Sequence, residues 1–213
     1  MNKLLQALVW TLLFVAQNVH AQTLQELLKA VEEDNIEHAS FYLDRGMEPD
    51  TSDPQGNTLL MIASRLGHAD MASMLLGRHA SVTRQSASGD TALLMASLGG
   101  HLDVVKLLVK AGAPVQTHSG WQPIHYAAFG GATDVVAYLL DQGADKNALA
   151  PNNKFTPLML AVRNGHGDAA KLLIARGADV TSRSVGGETA LMIAQRLDDT
   201  ALIALLKQAG AAE

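Results

Sequence analysis

The sequence predicts an all-α protein, a solenoid of about six stacked helix pairs. One sequence unit recurs, and six equivalent positions mark it at intervals of 33, 33, 31, 34 and 33 residues: Gly46, His79, Gly112, Gly143, Gly177 and Gly210. A regular period of this length is typical of proteins whose units stack only on their neighbours. Hydrophobic residues make up 48% of the chain but aromatic residues only 4%. The core must therefore consist of small aliphatic side chains, which let short helices pack closely.

Aligned on these positions, the chain after residue 21 forms one domain, residues 22–213, with units at about 22–50, 53–82, 86–115, 117–147, 151–180 and 184–211. The first unit lacks an opening turn. Its first helix is predicted from the helical spacing of Leu24, Leu27, Leu28 and Val31. A second helix is expected from about Asn35 to Arg45. Polar residues on the outward side suit a capping unit that faces water.

Local sequence signals define each helix pair. A threonine side chain can cap the first helix in four units, at Thr58, Thr91, Thr156 and Thr189. Proline occupies the first helical position twice, at Pro123 and Pro157, where a missing N–H costs nothing. A glycine is expected to end the first helix in a left-handed conformation, at Gly67, Gly100, Gly131 and Gly165. An aspartate then falls in the first turn of the second helix, at Asp70, Asp103, Asp134 and Asp168.

The first 21 residues follow a different pattern. Lys3 precedes an apolar run from Leu4 to Ala16, and Val19-His20-Ala21 offers small residues at the positions that a signal peptidase reads. This is the pattern of a secretory signal peptide, with cleavage expected after Ala21. An uncleaved membrane anchor is the alternative, but the apolar run is shorter than the roughly 20 residues that span a bilayer. We therefore expect no membrane association after cleavage.

Charge and cysteine content exclude several functions. Loss of Lys3 would leave 15 basic and 21 acidic residues, a net charge of −6. Such a chain is a poor candidate for binding nucleic acid, which requires a basic face. The chain has no cysteine, so it has no disulfide, thiolate nucleophile or cysteine metal site.

The repeated run D-x-x-G-x-T-(P/A)-L-x-x-A-x-x-x-G-H-x-D-x-x-x-x-L-L-x-x-G-A resembles the ankyrin repeat over nearly all of the chain after residue 21. The resemblance implies a curved array of antiparallel helix pairs, joined by hairpin loops, whose inner side binds a protein. Departures from the pattern include Gln122 in place of the capping threonine, Lys154 in place of the loop glycine and His79 in place of the terminal glycine. Together with the signal peptide, the chain resembles exported, periplasmic ankyrin proteins of Gram-negative bacteria.

Metal binding and catalysis find little support in the sequence. His68, His101 and His166 recur once per unit, and helices 8–10 Å apart cannot bring such residues to one zinc ion. We therefore predict that these histidines are structural and that the protein holds no metal or cofactor. The sequence has no G-x-S-x-G, H-E-x-x-H or P-loop motif. We expect no enzymatic activity.

The resemblance implies that two columns of variable positions line the inner side and carry the contact residues. One column immediately precedes the capping position and comprises Asn57, Asp90, Trp121, Phe155 and Glu188. The other lies two positions before the helix-ending glycine and comprises Arg65, Leu98, Phe129, Arg163 and, by alignment, Arg196. All of these except Leu98 are predicted contact residues. Aromatic residues and arginines on solvent-side positions favour a contact surface. The alternative is that Trp121 and Phe155 pack on neighbouring loops.

These observations predict a non-enzymatic, periplasmic protein–protein interaction module, monomeric when free. It would bind its partner through loop tips and inner face, as an adaptor that supports an exported enzyme, for example one of oxidative-stress defence. An immunity protein that neutralises a secreted toxin is the alternative, and the acidic net charge would suit a basic toxin. A periplasmic protein that binds a small ligand or a metal is a further alternative, but it would need a pocket.

Overall fold

The computed structural model describes residues 22–117 and 120–211. The predicted signal peptide, residues 1–21, lies outside the described residues. Twelve helices are present in the described part: α1 (residues 22–32), α2 (Ile36–Asp44), α3 (Leu59–Leu66), α4 (Ala69–Gly77), α5 (Ala92–Gly99), α6 (Leu102–Lys110), α7 (Pro123–Gly130), α8 (Thr133–Asp141), α9 (Pro157–Arg163), α10 (Gly167–Ala175), α11 (Ala190–Arg196) and α12 (Thr200–Gln208). They form six consecutive pairs, which confirms the predicted all-α solenoid.

Most of the first helices of the units begin and end at residues that the sequence pattern marks. Each of the four threonines accepts a hydrogen bond from the backbone N–H three residues later, which caps α3, α5, α9 and α11. The glycines after the first helices have φ between 72° and 79° at Gly67, Gly100, Gly131 and Gly165. Asn35 caps α2, so this helix begins one residue later than predicted. Helices α3, α5, α9 and α11 are therefore short because a threonine caps the start of each one and a left-handed residue follows its end.

The six marker positions share one backbone conformation. All have positive φ, from 65° at His79 to 95° at Gly46. Lys154, which replaces a loop glycine, also has a positive φ of 56°. Both non-glycine residues keep the repeat geometry at an energetic cost, since a Cβ disfavours the left-handed region.

The helix pairs stack in chain order. The first helices α3, α5, α7, α9 and α11 pack on one another more closely than the second helices α4, α6, α8, α10 and α12 do. The stack therefore curves towards the first helices, and we call the side formed by these helices and the hairpin loops the inner face. A single hydrophobic core runs through all units, from Leu27 in α1 to Leu206 in α12.

Hydrogen bonds between loops tie successive units together. The Asp50 carboxylate accepts a bond of 2.8 Å from the backbone N–H of Ser81 in the next unit. The Asn147 side chain accepts an equivalent bond of 2.9 Å from the N–H of Asp179. These contacts fix the spacing of the loops, which positions the residues of the inner face.

Candidate partner-binding surface

Side chains of the two predicted columns contact each other within three of the units. The residue before the cap lies at the end of the hairpin loop, and the residue of the second column lies in the last turn of the first helix. Their side chains pair as Trp121 with Phe129, Phe155 with Arg163, and Glu188 with Arg196. The sequence placed both columns on one face but did not predict that their members touch.

An aromatic cluster lies on α7 and the loop before it. The Trp121 ring lies 5.9 Å from the Phe129 ring and 5.5 Å from the Tyr126 ring, both in edge-to-face orientation. Trp121 is half-buried against the core, whereas Phe129 is 42% exposed. Leu98 on the neighbouring α5 is also 42% exposed, and Gly130 lies against it. We call Leu98, Trp121, Tyr126 and Phe129 the inner aromatic patch.

The backbone of Phe129 is held by the next unit. Its carbonyl oxygen accepts hydrogen bonds from His166 Nε2 at 3.0 Å and from Asn164 Nδ2 at 3.2 Å. The exposed ring therefore stands on a fixed backbone. A contact residue held in this way loses less entropy when a partner binds.

Tyr126 joins the third and fourth units and was missed by the sequence analysis. Its hydroxyl donates a hydrogen bond of 2.7 Å to Asp90 Oδ1. Burial first, and then the bond to the Asp90 carboxylate, raise the pKa of Tyr126 above its usual range. The signal that could have revealed Tyr126 is its place three residues before Phe129, on the same helix face. The two predicted columns did not include this position.

A groove lies beside the patch, between the hairpin loops of the third to fifth units. It has a volume of about 430 Å³, and its lining includes Asp90, Leu94, Trp121, Tyr126 and Asn152. Aromatic rings, an aliphatic side chain, an amide and a carboxylate therefore face the same space. This combination suits a side chain of a partner protein that is partly apolar and partly polar.

The Phe155 side chain lies in the hydrophobic core. The sequence predicts it on the solvent side, and that prediction is wrong, because the side chain is only 6% exposed. The reason is a longer loop whose left-handed Lys154 and a bond from the N–H of Phe155 to Asn153 Oδ1 turn the ring inward. The Arg163 guanidinium lies 5.5 Å from the ring centre, and Arg163 itself is exposed. At this unit Arg163 is therefore exposed and Phe155 is not. This agrees with the alternative that Phe155 packs against its neighbours in the fold.

The remaining predicted residues occupy the ends of the inner face. Glu188 and Arg196 form an ion pair with an N–O distance of 3.3 Å. The Asn57 side chain donates a 2.8 Å bond to Asp53 and so closes its own hairpin loop. Arg65 is exposed. These four residues lie on units two and six, outside the aromatic patch on units three and four.

The repeated histidines contact the preceding units. His68, His101 and His166 each place Nε2 within 3.1 Å of a carbonyl oxygen, those of Glu32, Arg65 and Phe129 respectively. A Cβ built on Gly67 or Gly131 would lie 2.5 Å from the next histidine ring. The rings thus pack against glycines one unit away, in agreement with a structural role.

His125 is a different, fully buried histidine. Its Nδ1 accepts a 3.0 Å bond from the N–H of Gln122, and its Nε2 donates a 2.9 Å bond to the Ala148 carbonyl. Burial lowers the pKa of His125 below its ordinary value of 6.5. The neutral ring links α7 to the loop of the fifth unit, which explains the histidine at this position of the repeat.

No group of three or more His, Asp or Glu side chains in residues 22–117 and 120–211 could hold a metal ion. None of the helices within the same ranges is both long and apolar enough to cross a membrane.

Comparison with known proteins identifies the family. A model of three ankyrin repeats matches residues 2–117, 79–150, 111–184 and 149–212. The chain belongs to the ankyrin repeat family. The repeats of this family are protein–protein interaction modules and are generally not enzymes.

Individual relatives support the fold, and the proteins that contain the matching repeats are of different kinds. The ankyrin repeat domain of human ASB11 is 26% identical, with a TM-score of 0.82 over 87% of this chain and 84% of that domain. An ankyrin repeat-containing protein of Schizosaccharomyces pombe is 44% identical over 35% of this chain and 36% of its own length. Palmitoyltransferase Hip14 of Drosophila melanogaster is 38% identical over 32% of this chain and 12% of its own. The chain thus matches only a minor part of these two relatives.

Proposed function

We propose that this ankyrin repeat chain is a non-enzymatic adaptor of the periplasm that supports an exported enzyme by binding it. The binding surface is the inner aromatic patch together with the loops of the third to fifth units and Arg163. The observation that carries the proposal is the exposed Phe129 beside half-buried Trp121, with Leu98 adjacent. Contiguous apolar surface of this kind, flanked by arginine, is typical of protein contact sites.

The periplasmic location is supported by the signal-peptide pattern of residues 1–21. Expression of the full sequence in a Gram-negative host tests it. We expect the protein in the periplasmic fraction, with a mature chain that begins at Gln22 by mass spectrometry. A protein that keeps residue 1 and stays in the cytoplasm or the membrane would contradict this part of the proposal.

Site-specific photocrosslinking in the native cell tests the binding surface. A photoreactive residue at position 129, whose side chain is exposed on the inner face, should give one dominant crosslinked protein. The matched control is position 106, an exposed lysine on α6 among the outer helices. Equal crosslinking from both positions, or none from position 129, would contradict the proposal.

The identity of the crosslinked protein separates the two versions of the function. An exported enzyme whose activity or yield falls when this chain is deleted supports the adaptor. A secreted toxin whose activity is blocked by this chain supports an immunity protein, which the excess of 21 acidic over 16 basic residues favours if the toxin is basic.

A further inference from the structure

The groove beside the inner aromatic patch has one charged residue among the described residues that line it. That residue is Asp90, and no lysine, arginine or histidine of the described part of the chain shares the lining. Amide and hydroxyl groups of Gln85, Ser88 and Asn152 make up much of the rest. The local charge of the described lining is therefore negative.

The position of the Asp90 carboxylate is fixed on two sides. Its backbone N–H donates to Ser86 Oγ at 3.2 Å, and its Oδ1 accepts the Tyr126 hydroxyl at 2.7 Å. Among the contacts between described residues, Oδ2 accepts no hydrogen bond. One oxygen of the carboxylate thus anchors the Asp90 side chain, and the residue lines the groove.

Two aromatic rings lie next to this carboxylate. The Trp121 and Tyr126 rings are 5.5 Å apart at 69° to each other, and both line the groove. Because the rings are strongly inclined, a planar group that enters the groove can lie over one ring face and reach the carboxylate with its edge. A cation gains from both contacts, through the negative ring face and through the charge of Asp90.

We propose that this groove binds an arginine side chain of the protein partner. The inference rests on the proposed function and adds the chemistry of the residue that the partner contributes. A guanidinium group is flat enough to stack on an aromatic ring and carries N–H donors along its edge that match a carboxylate. A carboxylate or phosphate in the same place would face Asp90 with no cation of the described lining to offset the repulsion.

A small-molecule probe tests this without knowledge of the partner. N-acetylarginine methylamide is titrated into the protein expressed from the full sequence, and the citrulline analogue serves as the neutral control of the same shape. Binding is followed by the indole N–H signal of Trp121 in NMR spectra, assigned through its loss in Trp121→Phe. We expect the arginine compound to bind about tenfold more tightly than the citrulline compound. Equal binding of the two, or no shift of the Trp121 signal, would overturn the proposal.

Two substitutions locate the effect at Asp90. Asp90→Asn keeps an oxygen for the Tyr126 hydroxyl but removes the charge, so it should abolish the preference for arginine over citrulline. Asp103→Asn, an equal charge change at an exposed residue of α6 on the outer side, should leave it intact. If the preference for arginine over citrulline survives in Asp90→Asn, the cation site does not lie at Asp90. Circular dichroism checks that both variants remain folded.

Crosslinking separates a failure of this inference from a failure of the proposed function. If the probe shows no arginine preference but position 129 still crosslinks to a protein, the interaction surface stands and the arginine site is wrong. If position 129 gives no crosslink, the proposed function itself is wrong. If both hold, the crosslinked partner should lose affinity for this chain when its arginine at the contact is changed to glutamine.

Discussion

At the scale of single residues, backbone conformation affects stability more than side-chain contacts do at positions 79 and 154. His79 and Lys154 have φ of 65° and 56°, where the other units carry glycine with positive φ. Both side chains are exposed. A Cβ is unfavourable in this region of the φ/ψ map, and neither side chain compensates by being buried.

We therefore expect His79→Gly and Lys154→Gly to stabilise the fold. Relief of the left-handed strain should outweigh the extra flexibility of the unfolded chain by about 0.5–1 kcal/mol each. Urea denaturation measures the change in the free energy of unfolding. Gly112→Ala, at the position equivalent to His79 with φ of 92°, is the reverse control and should destabilise. Loss of stability in both glycine variants would show that these side chains are needed where they lie.

His125 makes stability depend on pH. Because burial lowers its pKa in the folded state, the unfolded chain takes up a proton below pH 6.5 that the folded chain does not. The contribution of His125 to stability is therefore complete above that pH. It should decline as the pH falls towards the folded pKa, by up to about 1.4 kcal/mol per pH unit.

His125→Met tests this contribution. Met61 occupies the equivalent position in the second unit, where its sulfur accepts the N–H of Thr58 at 3.4 Å. A methionine can therefore replace the acceptor role of Nδ1 without titrating. We expect the loss of stability between pH 7.5 and 5.5 to be smaller in the variant than in the natural chain. An unchanged pH profile would mean that His125 does not remain neutral in the fold.

At the scale of helices, contact between units depends on glycines at the ends of the first helices. Gly131 and Gly165 both have φ of 73°, so they are equally strained by a side chain. They differ in their surroundings. A Cβ on Gly131 would lie 2.5 Å from the His166 ring, whereas a Cβ on Gly165 would have no atom within 4 Å.

This pair separates backbone strain from packing between units. Gly165→Ala should cost roughly 1–2 kcal/mol through the backbone alone. Gly131→Ala should cost about 1–3 kcal/mol more, because His166 must move. In a His166→Ala background the two alanine substitutions should cost the same. A persistent difference in that background would show that the histidine ring does not set the spacing of the units.

At the scale of the whole molecule, the period and the caps made the fold predictable. Most units repeat the same local signals, so threonine caps such as Thr58 and left-handed positions such as Gly67 could be located from spacing alone. The inward turn of Phe155 could not, because it depends on a longer loop with Lys154 in a left-handed conformation. The bond between Tyr126 and Asp90 joins two units, and its geometry follows only from their stacking.

The inner aromatic patch depends on the stacking in the same way. Phe129 comes from α7, its carbonyl is held by the fifth unit, and Leu98 comes from α5. The sequence could therefore indicate aromatic residues on the inner side, but only the assembled stack shows which of them remain exposed.

The affinity for the crosslinked partner tests the central claim most directly. Isothermal titration calorimetry compares the natural chain with Phe129→Ala and with Lys106→Ala, an exposed residue of the outer helix α6. Removal of an exposed aromatic anchor should weaken binding roughly 30-fold, as expected for an interface hot spot. Lys106→Ala should bind like the natural chain. If Phe129→Ala, folded by circular dichroism, binds the partner with unchanged affinity, the inner aromatic patch is not the binding surface.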